Sequence, residues 1–474
     1  MVTHPVAGTG AWRGSRTTVA LLRGLTLVTI TYLAFRFVLV DYVWSPLRWI
    51  SDLLSLSLGG LAVLALWRDP AWRRAVWACR PGLRNVLLGL AGAIVLAVVT
   101  VLASGLANGR GLVDIATGIR SLVLWCTLLA AVGLVAAWEL AYGPGQAQGA
   151  GRRPWALRVL SWVVALAVFM ALVETAGVLL FGWYGPAEWV ATLTGSNAGR
   201  AVGLMKNPNT LGCFLVLGLL LLWPRWVAAV TRRVRDRAVW AWAVLLLMGL
   251  ALTYSRQGWL AVAAGLLAAG WVARRLVPWR VTALLMLVVV VVTVLTTMLP
   301  VPLFAWGDDD GISRTRQLQL RRISETFDEE TVDKSRATGR LAMVRYALAM
   351  LRDHPVLGVG PGRVGGAGAL NPDHELQVRY GLPDHAYADN QYVRTAMELG
   401  TLGLLALGAM ILTTLALAYR TARIDPLQGA AFTAVVVAMV SFGLGQNAWE
   451  NQPLAAVYWL SLGAAWALQL RQER

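Results

Sequence analysis

The feature that most constrains this chain is a series of long apolar runs, each close to the roughly 20 residues that cross a bilayer as a helix. The chain is 57% hydrophobic and only 14% charged, whereas soluble domains carry about 25% charged residues. We therefore predict an all-α polytopic membrane protein with about 12 transmembrane helices. The predicted spans are residues 17–40, 46–67, 85–104, 117–141, 157–182, 208–223, 239–254, 257–273, 281–299, 390–417, 428–446 and 454–470.

The positive charge of the chain sets its orientation. The net charge is +17, but the cations lie in short segments between apolar runs and form no basic domain, so we expect no nucleic-acid partner. Segments that follow even-numbered spans are rich in arginine, as at Arg152, Arg153 and Arg158 after the fourth span. The positive-inside rule therefore predicts that both termini are cytoplasmic.

One long segment interrupts the spans and divides the chain into three parts. Residues 1–299 hold transmembrane helices 1–9, residues 300–389 form an external subdomain between helices 9 and 10, and residues 390–474 hold helices 10–12. The external segment is too long for a simple connection. An amphipathic helix is predicted in it from Ser335 to Asp353, with apolar residues at helical spacing. These residues are Leu341, Val344, Ala347, Leu348 and Leu351.

Cations that break the apolar pattern on the predicted outer side are candidates for anion binding. They are Arg110, Arg120, Arg200, Lys206 and Arg256. If they converge, they would form a socket for a large anion such as pyrophosphate, since arginine stays charged and donates paired hydrogen bonds. For each cation the alternative is snorkelling to the membrane surface or an ion pair with a nearby carboxylate.

Acid–base candidates lie at the mouth of the tenth span. His385 and Asp389 are four residues apart, and either could accept a proton from a hydroxyl. Arg394 and Glu398 share the same spacing deeper in the span, where a structural ion pair is the alternative to a functional role.

No cofactor or resident metal is expected from the sequence. The chain shows no Walker motif, nucleotide fingerprint or zinc signature. Asp308, Asp309 and Asp310 lack the spaced ligands of a calcium loop, so a solvated turn is the expectation there. Asp373, His374 and Glu375 are the alternative, as metal ligands. The three cysteines show no paired spacing either.

Four local patterns together resemble the O-antigen ligase superfamily, which includes ligases and polymerases of lipid-linked glycans. The patterns are Arg200-x-x-Gly203-x-x-x-Asn207-Pro208-Asn209; Thr253-x-Ser255-Arg256-x-Gly258; Gly339-Arg340 leading to His354-Pro355-x-Leu357-Gly-Val-Gly360-x-Gly362; and Asp389-Asn390-x-Tyr392 with Glu398-x-Gly400-x-x-Gly403. Each pattern alone is weak, but all four occur in order at the expected loops. The resemblance extends over the whole topology.

The resemblance implies a metal-independent GT-C-like enzyme of the cytoplasmic (inner) membrane. It would take a glycan from undecaprenyl pyrophosphate on the outer face and pass it to a hydroxyl of a glycan or glycolipid acceptor, among membrane lipids. Arg200 and Arg256 match the family positions that hold the pyrophosphate, and we group Lys206 and Arg120 with them. Ligase or polymerase activity stays open.

The general base is the point at which this sequence departs from the ligase pattern. Ligases carry a histidine where this chain has Asp389, and His385 lies one helical turn earlier. Either Asp389 or His385 is therefore the expected base. Asn390, Arg340 and Glu398 are expected to support it.

Rival classes predict different sequence features. A lipid-linked glycan transporter or flippase would show internal pseudo-repeats and broken helices near the midplane, and this chain has no obvious halves. A peptidoglycan polymerase fits the span count and loop position less well. A non-enzymatic scaffold would not need outward-facing arginines at membrane depth.

Overall fold

A computed structural model describes residues 9–40, 47, 49–68, 70, 80–142, 154–181, 200–205, 207–231, 236–298, 339–364, 375–382 and 388–472. Within these ranges every regular element is helical. Several predicted features lie outside the described residues, namely Lys206, Asp308–Asp310, Asp373, His374, His385 and most of the 300–389 segment.

The described residues form fifteen α-helices. Their bounds are α1 Thr9–Val38, α2 Ile50–Arg68, α3 Pro81–Ala107, α4 Leu112–Val123, α5 Cys126–Tyr142, α6 Trp155–Phe181, α7 Pro208–Thr231, α8 Arg237–Leu252, α9 Arg256–Val272, α10 Trp279–Met298, α11 Arg340–Asp353, α12 Glu375–Tyr380, α13 Gln391–Ala422, α14 Pro426–Gly443 and α15 Gln452–Gln472.

Nine helices of the described part of the chain are long and apolar enough to cross a membrane. They are α1, α2, α3, α6, α7, α10, α13, α14 and α15. Helices suit this role because all their backbone polar groups can bond within the segment. The prediction of an all-α polytopic membrane protein is confirmed, while the count of twelve spans and the GT-C-like architecture stay predictions.

The fourth predicted span is not one helix, and the prediction of a continuous span over residues 117–141 was wrong. The chain breaks between α4 and α5 because hydroxyl groups bind the carbonyl of Leu124. Ser55 Oγ donates to this oxygen at 2.9 Å and Thr127 Oγ1 donates to it at 3.0 Å. In a continuous helix the same oxygen would accept from the N–H of Leu128, which bonds Trp125 O instead.

The sixth span is longer than the sequence predicts. It was expected to end at residue 223, before Pro224, but α7 continues through this proline to Thr231. Pro224 and its neighbours Trp223 and Trp226 are buried. Proline is tolerated inside a membrane helix because neighbouring helices support the interrupted backbone.

Helix α13 contains a break that receives a glycine-rich loop, residues 355–364. Gly400 has φ 64° and ψ −157°, far from helical values. Around it, Val359 N donates to Met397 O at 2.9 Å and Thr401 N donates to Pro355 O at 2.9 Å. The loop thus supplies the hydrogen bonds that the helix lacks at its break. Gly358, with φ 65°, also packs directly on the α13 backbone.

Two hydrophobic cores organise the described residues. The larger core runs through the helix bundle, with α7 near its centre and α9 packed along α14. The smaller core joins α11, α12 and the glycine-rich loop to α13, and includes Met343, Met350, Val364 and Met397. The amphipathic helix expected before Pro355 is therefore present as α11.

The buried face of α11 differs from the expected one. Ala342, Met343, Ala347 and Met350 are buried. Of the apolar residues singled out in the sequence, Leu341, Val344 and Leu348 are exposed. Ala347, also in the predicted set, is buried, and methionine and alanine fill this face because they fit closely against α13.

Candidate functional site

The loop between α14 and α15, residues 444–451, brings the polar elements of one end of the bundle together. Its side chains and backbone bond to α7, to the start of α13 and to the residue before it. The bonds are Asn390 Nδ2 to Leu444 O at 2.8 Å, Gln446 Nε2 to Cys213 Sγ at 2.8 Å, Asn447 Nδ2 to Ala388 O at 3.1 Å, Trp449 N to Gln391 Oε1 at 3.4 Å, and Asn451 Nδ2 to Thr210 Oγ1 at 2.7 Å.

Arg200 is buried next to the turn that joins α8 and α9. Its Nε donates to Thr253 O at 2.8 Å, and its Nη2 donates to Asn209 Oδ1 at 2.9 Å. Ala201 N also donates to Leu252 O at 2.9 Å. The first and second sequence patterns, which are about 50 residues apart, therefore form one structure.

The turn before α9 places Arg256 at the surface of this structure. Tyr254 has φ 49°, a left-handed conformation that is uncommon for residues other than glycine. Ser255 caps α9, since its Oγ accepts from Gly258 N at 3.2 Å. Arg256 follows in the first turn and is exposed. A cation at a helix start suits an anionic ligand.

Gly445 O joins the α9 turn to helix α11. Gln257 Nε2 donates to this carbonyl at 2.5 Å, and Arg340 Nη2 donates to it at 3.1 Å. The same Arg340 Nη2 lies 3.5 Å from Asp389 Oδ2. The Gly445 carbonyl thus connects Gln257, which follows Arg256, to Arg340, which pairs with Asp389.

Asp389 lies just before α13 in a partly desolvated position. Burial raises the pKa of its carboxyl from 3.8 to about 6, while the charge and hydrogen bond of Arg340 act to lower it. The side chain is still 35% exposed, so a substrate can reach it. Asn390 caps α13 by accepting from Tyr392 N and Val393 N. This cap fixes the backbone that carries Asp389.

Glu398 belongs to a buried ionic cluster inside the bundle. Arg394 Nη2 lies 3.2 Å from Glu398 Oε2, so the ion pair considered from their spacing is present. Arg394 also pairs with Glu450 of the α14–α15 loop. Glu398 Oε1 accepts from Val364 N at 3.1 Å, which ties the glycine-rich loop to the cluster. Glu398 therefore has a structural role beneath the site.

Arg110 and Arg120 form ion pairs of their own. Arg120 Nε lies 2.7 Å from Asp52 Oδ1 on α2, and Arg110 Nη2 lies 2.5 Å from Asp114 Oδ2. For both residues, the sequence left open an ion pair with a nearby carboxylate. The contacts that join Arg200, Arg256, Arg340 and Asp389 into one site do not include Arg120.

Sequence reasoning missed the α14–α15 loop. Gln257, Gly445 and Glu450 were not singled out, although each contacts a predicted site residue or its neighbour. One signal was available, because Gln446, Asn447, Glu450 and Asn451 form a dense polar group between two apolar spans. In the described ranges, no group of three His, Cys, Asp or Glu side chains could hold a metal ion.

The chain has helices that can span a membrane, buried ionisable groups, and a polar site at one end of the bundle. These features define a polytopic membrane protein with a charged site. Residues 241–408, from α8 into α13, match the family model described as O-antigen ligase. This match confirms the resemblance to the O-antigen ligase superfamily that the four motifs indicate. A comparison with curated protein sequences gave no match.

Proposed function

We propose that this protein transfers a glycan from undecaprenyl pyrophosphate to an acceptor hydroxyl on the outer face of the cytoplasmic membrane. The observation that carries the proposal is the connection of Arg256 and Asp389 through one carbonyl group. Gln257 and Arg340 both bond Gly445 O, so the start of α9, which carries Arg256, is joined through this carbonyl to the arginine that pairs with Asp389. The family match supports a membrane enzyme of the ligase or polymerase type.

The reaction exchanges one bond for another at the anomeric carbon of the glycan. The bond from this carbon to the pyrophosphate oxygen breaks, and a bond to the acceptor oxygen forms. The leaving pyrophosphate gains negative charge, which Arg200 and Arg256 stabilise, with Lys206 as a further cation in the same sequence region. The acceptor's proton passes to the general base.

Asp389 is the base that we favour over His385. Its carboxylate lies beside Arg340, and its raised pKa of about 6 makes it a better proton acceptor than an ordinary aspartate. His385 lies outside the described residues and stays the alternative. Asp389→Asn, which keeps the shape, is expected to abolish transfer, whereas full activity in this variant together with an inactive His385→Ala would assign the role to histidine.

We further propose that transfer needs no divalent metal, because arginines can supply the positive charge that the departing pyrophosphate requires. The expected result is unchanged turnover of the purified protein in excess chelator. Loss of activity that magnesium or calcium restores would contradict this proposal.

The experiment that tests the function is reconstitution in liposomes with a lipid-linked oligosaccharide. Products in a ladder of increasing length indicate a polymerase, and a single modified acceptor indicates a ligase. Asp389→Asn is the matched inactive control. If the donor crosses the bilayer chemically unchanged and no glycosidic bond forms, the protein is a lipid-linked glycan transporter and the proposal fails.

A further inference from the structure

We infer that Gln257 is a positioning residue, which with the carbonyl of Gly445 sets the separation between the pyrophosphate cations and the base. This inference rests on the proposed function, but it concerns a residue outside the predicted reacting groups. Gln257 directly follows Arg256 at the start of α9, and its amide reaches across to the α14–α15 loop.

The bond between Gln257 and Gly445 is short, and it depends on the absence of a side chain at position 445. Gln257 Nε2 lies 2.5 Å from Gly445 O. A Cβ added at Gly445 would overlap the Gln257 amide, so this close approach requires glycine at position 445. The other amide atom, Gln257 Oε1, is buried without a hydrogen-bond partner among the described residues. The Gly445 bond is therefore the one that fixes the orientation of the amide.

The acceptor carbonyl is itself tied to the base side of the site. Arg340 bonds Gly445 O and lies near Asp389. Asn390, which follows Asp389, donates to Leu444 O, and Asn447 donates to Ala388 O. The residues on both sides of Asp389 are thus bonded to the loop that Gln257 holds. A shift of this loop relative to α9 would move Asp389 relative to Arg256.

Such a shift has a predictable kinetic effect. A misplacement of about 1 Å between reacting groups can slow a reaction about 100-fold without removing any of those groups. Because Gln257 contacts a backbone carbonyl and not the reacting groups, its loss should lower kcat and leave the KM for the donor nearly unchanged.

The test uses Gln257→Met, which keeps the length of the side chain but removes its donor. Gln469→Met is the matched control, since Gln469 is buried and likewise donates Nε2 to a backbone carbonyl, Leu417 O, at 2.9 Å near the other ends of α13 and α15. We expect kcat to fall at least tenfold in Gln257→Met, with the KM for the donor within twofold of wild type. Gln469→Met should retain the wild-type kcat.

A second measurement reports the position of the elements without using activity. Spin labels at Leu260→Cys on α9 and Leu348→Cys on α11, both exposed positions, give the distance between α9 and α11. Cys79 and Cys126 are replaced by alanine in this background. We expect a narrow distance distribution in the parent protein and in Gln469→Met, and a broad or shifted one in Gln257→Met.

Two further variants keep the test decisive. Gly445→Ala should reproduce the effects of Gln257→Met, because the added methyl displaces the amide. Gln257→Asn carries the amide one methylene short of Gly445 and serves the same test if the methionine variant does not fold.

The outcomes separate the inference from the proposed function. Unchanged kcat together with an unchanged distance in Gln257→Met would overturn the inference. A fall in kcat with an unchanged distance would also overturn it, since Gln257 would then act on the substrate directly. If the parent protein transfers no glycan, the proposed function fails. The distance measurement alone then decides whether Gln257 holds the α14–α15 loop in place relative to α9.

Discussion

Arg200 and Arg256 occupy different surroundings, although the sequence assigns them the same role. Arg200 is buried and already bonds Thr253 O and Asn209 Oδ1, so it also holds the α8–α9 turn in place. Arg256 is exposed at the start of α9. Removing each side chain should therefore have separable effects on activity and on stability.

Arg256→Ala is expected to reduce transfer about 100-fold, or on the order of 3 kcal/mol in the barrier, with the melting temperature unchanged. Arg200→Ala should reduce transfer similarly and also lower the melting temperature, because a buried acceptor at Thr253 loses its donor. Steady-state kinetics and thermal unfolding in detergent measure the two effects. Wild-type turnover in both variants would exclude these arginines from the site.

The ionisation of Asp389 predicts the pH dependence of the reaction. A base must be deprotonated, and burial raises the pKa of this carboxyl to about 6. The rate should therefore rise as the pH increases through about 6 and level off above it. In Arg340→Gln the lowering effect of the cation is lost, so the pKa rises further and the ascending limb moves to higher pH.

Arg379→Gln is the matched control for this pH profile. Arg379 on α12 pairs with Asp353 on α11, and both residues are exposed. Its loss should leave the ascending limb in place. If the ascending limb of the pH–rate profile stays at the same pH in Arg340→Gln as well, Asp389 is not the titrating base.

The sequence allowed the candidate residues to be named one by one, but it could not show how they are joined. Arg200, Arg256, Arg340 and Asp389 stand out because charge is costly near a membrane. Gln257 and Gly445 carry no charge, and their importance depends on a contact across 188 residues of chain. Glu450 is charged, but only its pairing with Arg394 shows what it does.

The break in α13 makes a prediction about the helix itself. A Cβ at Gly400 would overlap the carbonyl of Val356, and its φ of 64° is strained for any other residue. Gly400→Ala should therefore lower the stability by at least about 2 kcal/mol. Thermal unfolding of the purified protein measures this loss.

Gly408 provides the control on the same helix. Nothing lies within 4 Å of a Cβ built at Gly408. Gly408→Ala should be neutral, or should stabilise the protein by about 0.5–1 kcal/mol, because alanine favours a helix interior over glycine. Equal melting temperatures for Gly400→Ala and Gly408→Ala would mean that the glycine-rich loop does not require the break in α13.

Helix positions followed from the sequence wherever apolar length alone decides them. The span predicted at 454–470 appears as α15, and the one predicted at 281–299 appears as α10. The breaks did not follow, because they depend on distant partners. Ser55 on α2 helps to end α4, and the glycine-rich loop replaces hydrogen bonds in α13. Neither interaction leaves a periodic signal in the helix that it interrupts.

The orientation of the whole molecule is a prediction from its arginines. A cysteine in place of Leu348, which is exposed on α11, should react with an impermeant thiol reagent in intact cells. A cysteine in place of Arg275, exposed between α9 and α10, should react only after lysis. The reverse pattern would place α11 in the cytoplasm and invert the topology.

The shared core of α11 and α13 has a consequence for anyone who exchanges the α11–α12 segment of this protein for that of a relative. Met397 of α13 packs in the small core with Met343 and Met350, so the first turns of α13 form one core with α11 and α12. A chimaera cut at residue 390 would separate two halves of one hydrophobic core. The natural splice point is Gly400, where α13 is already interrupted, so the α11–α12 segment is best transplanted with residues 391–399 attached.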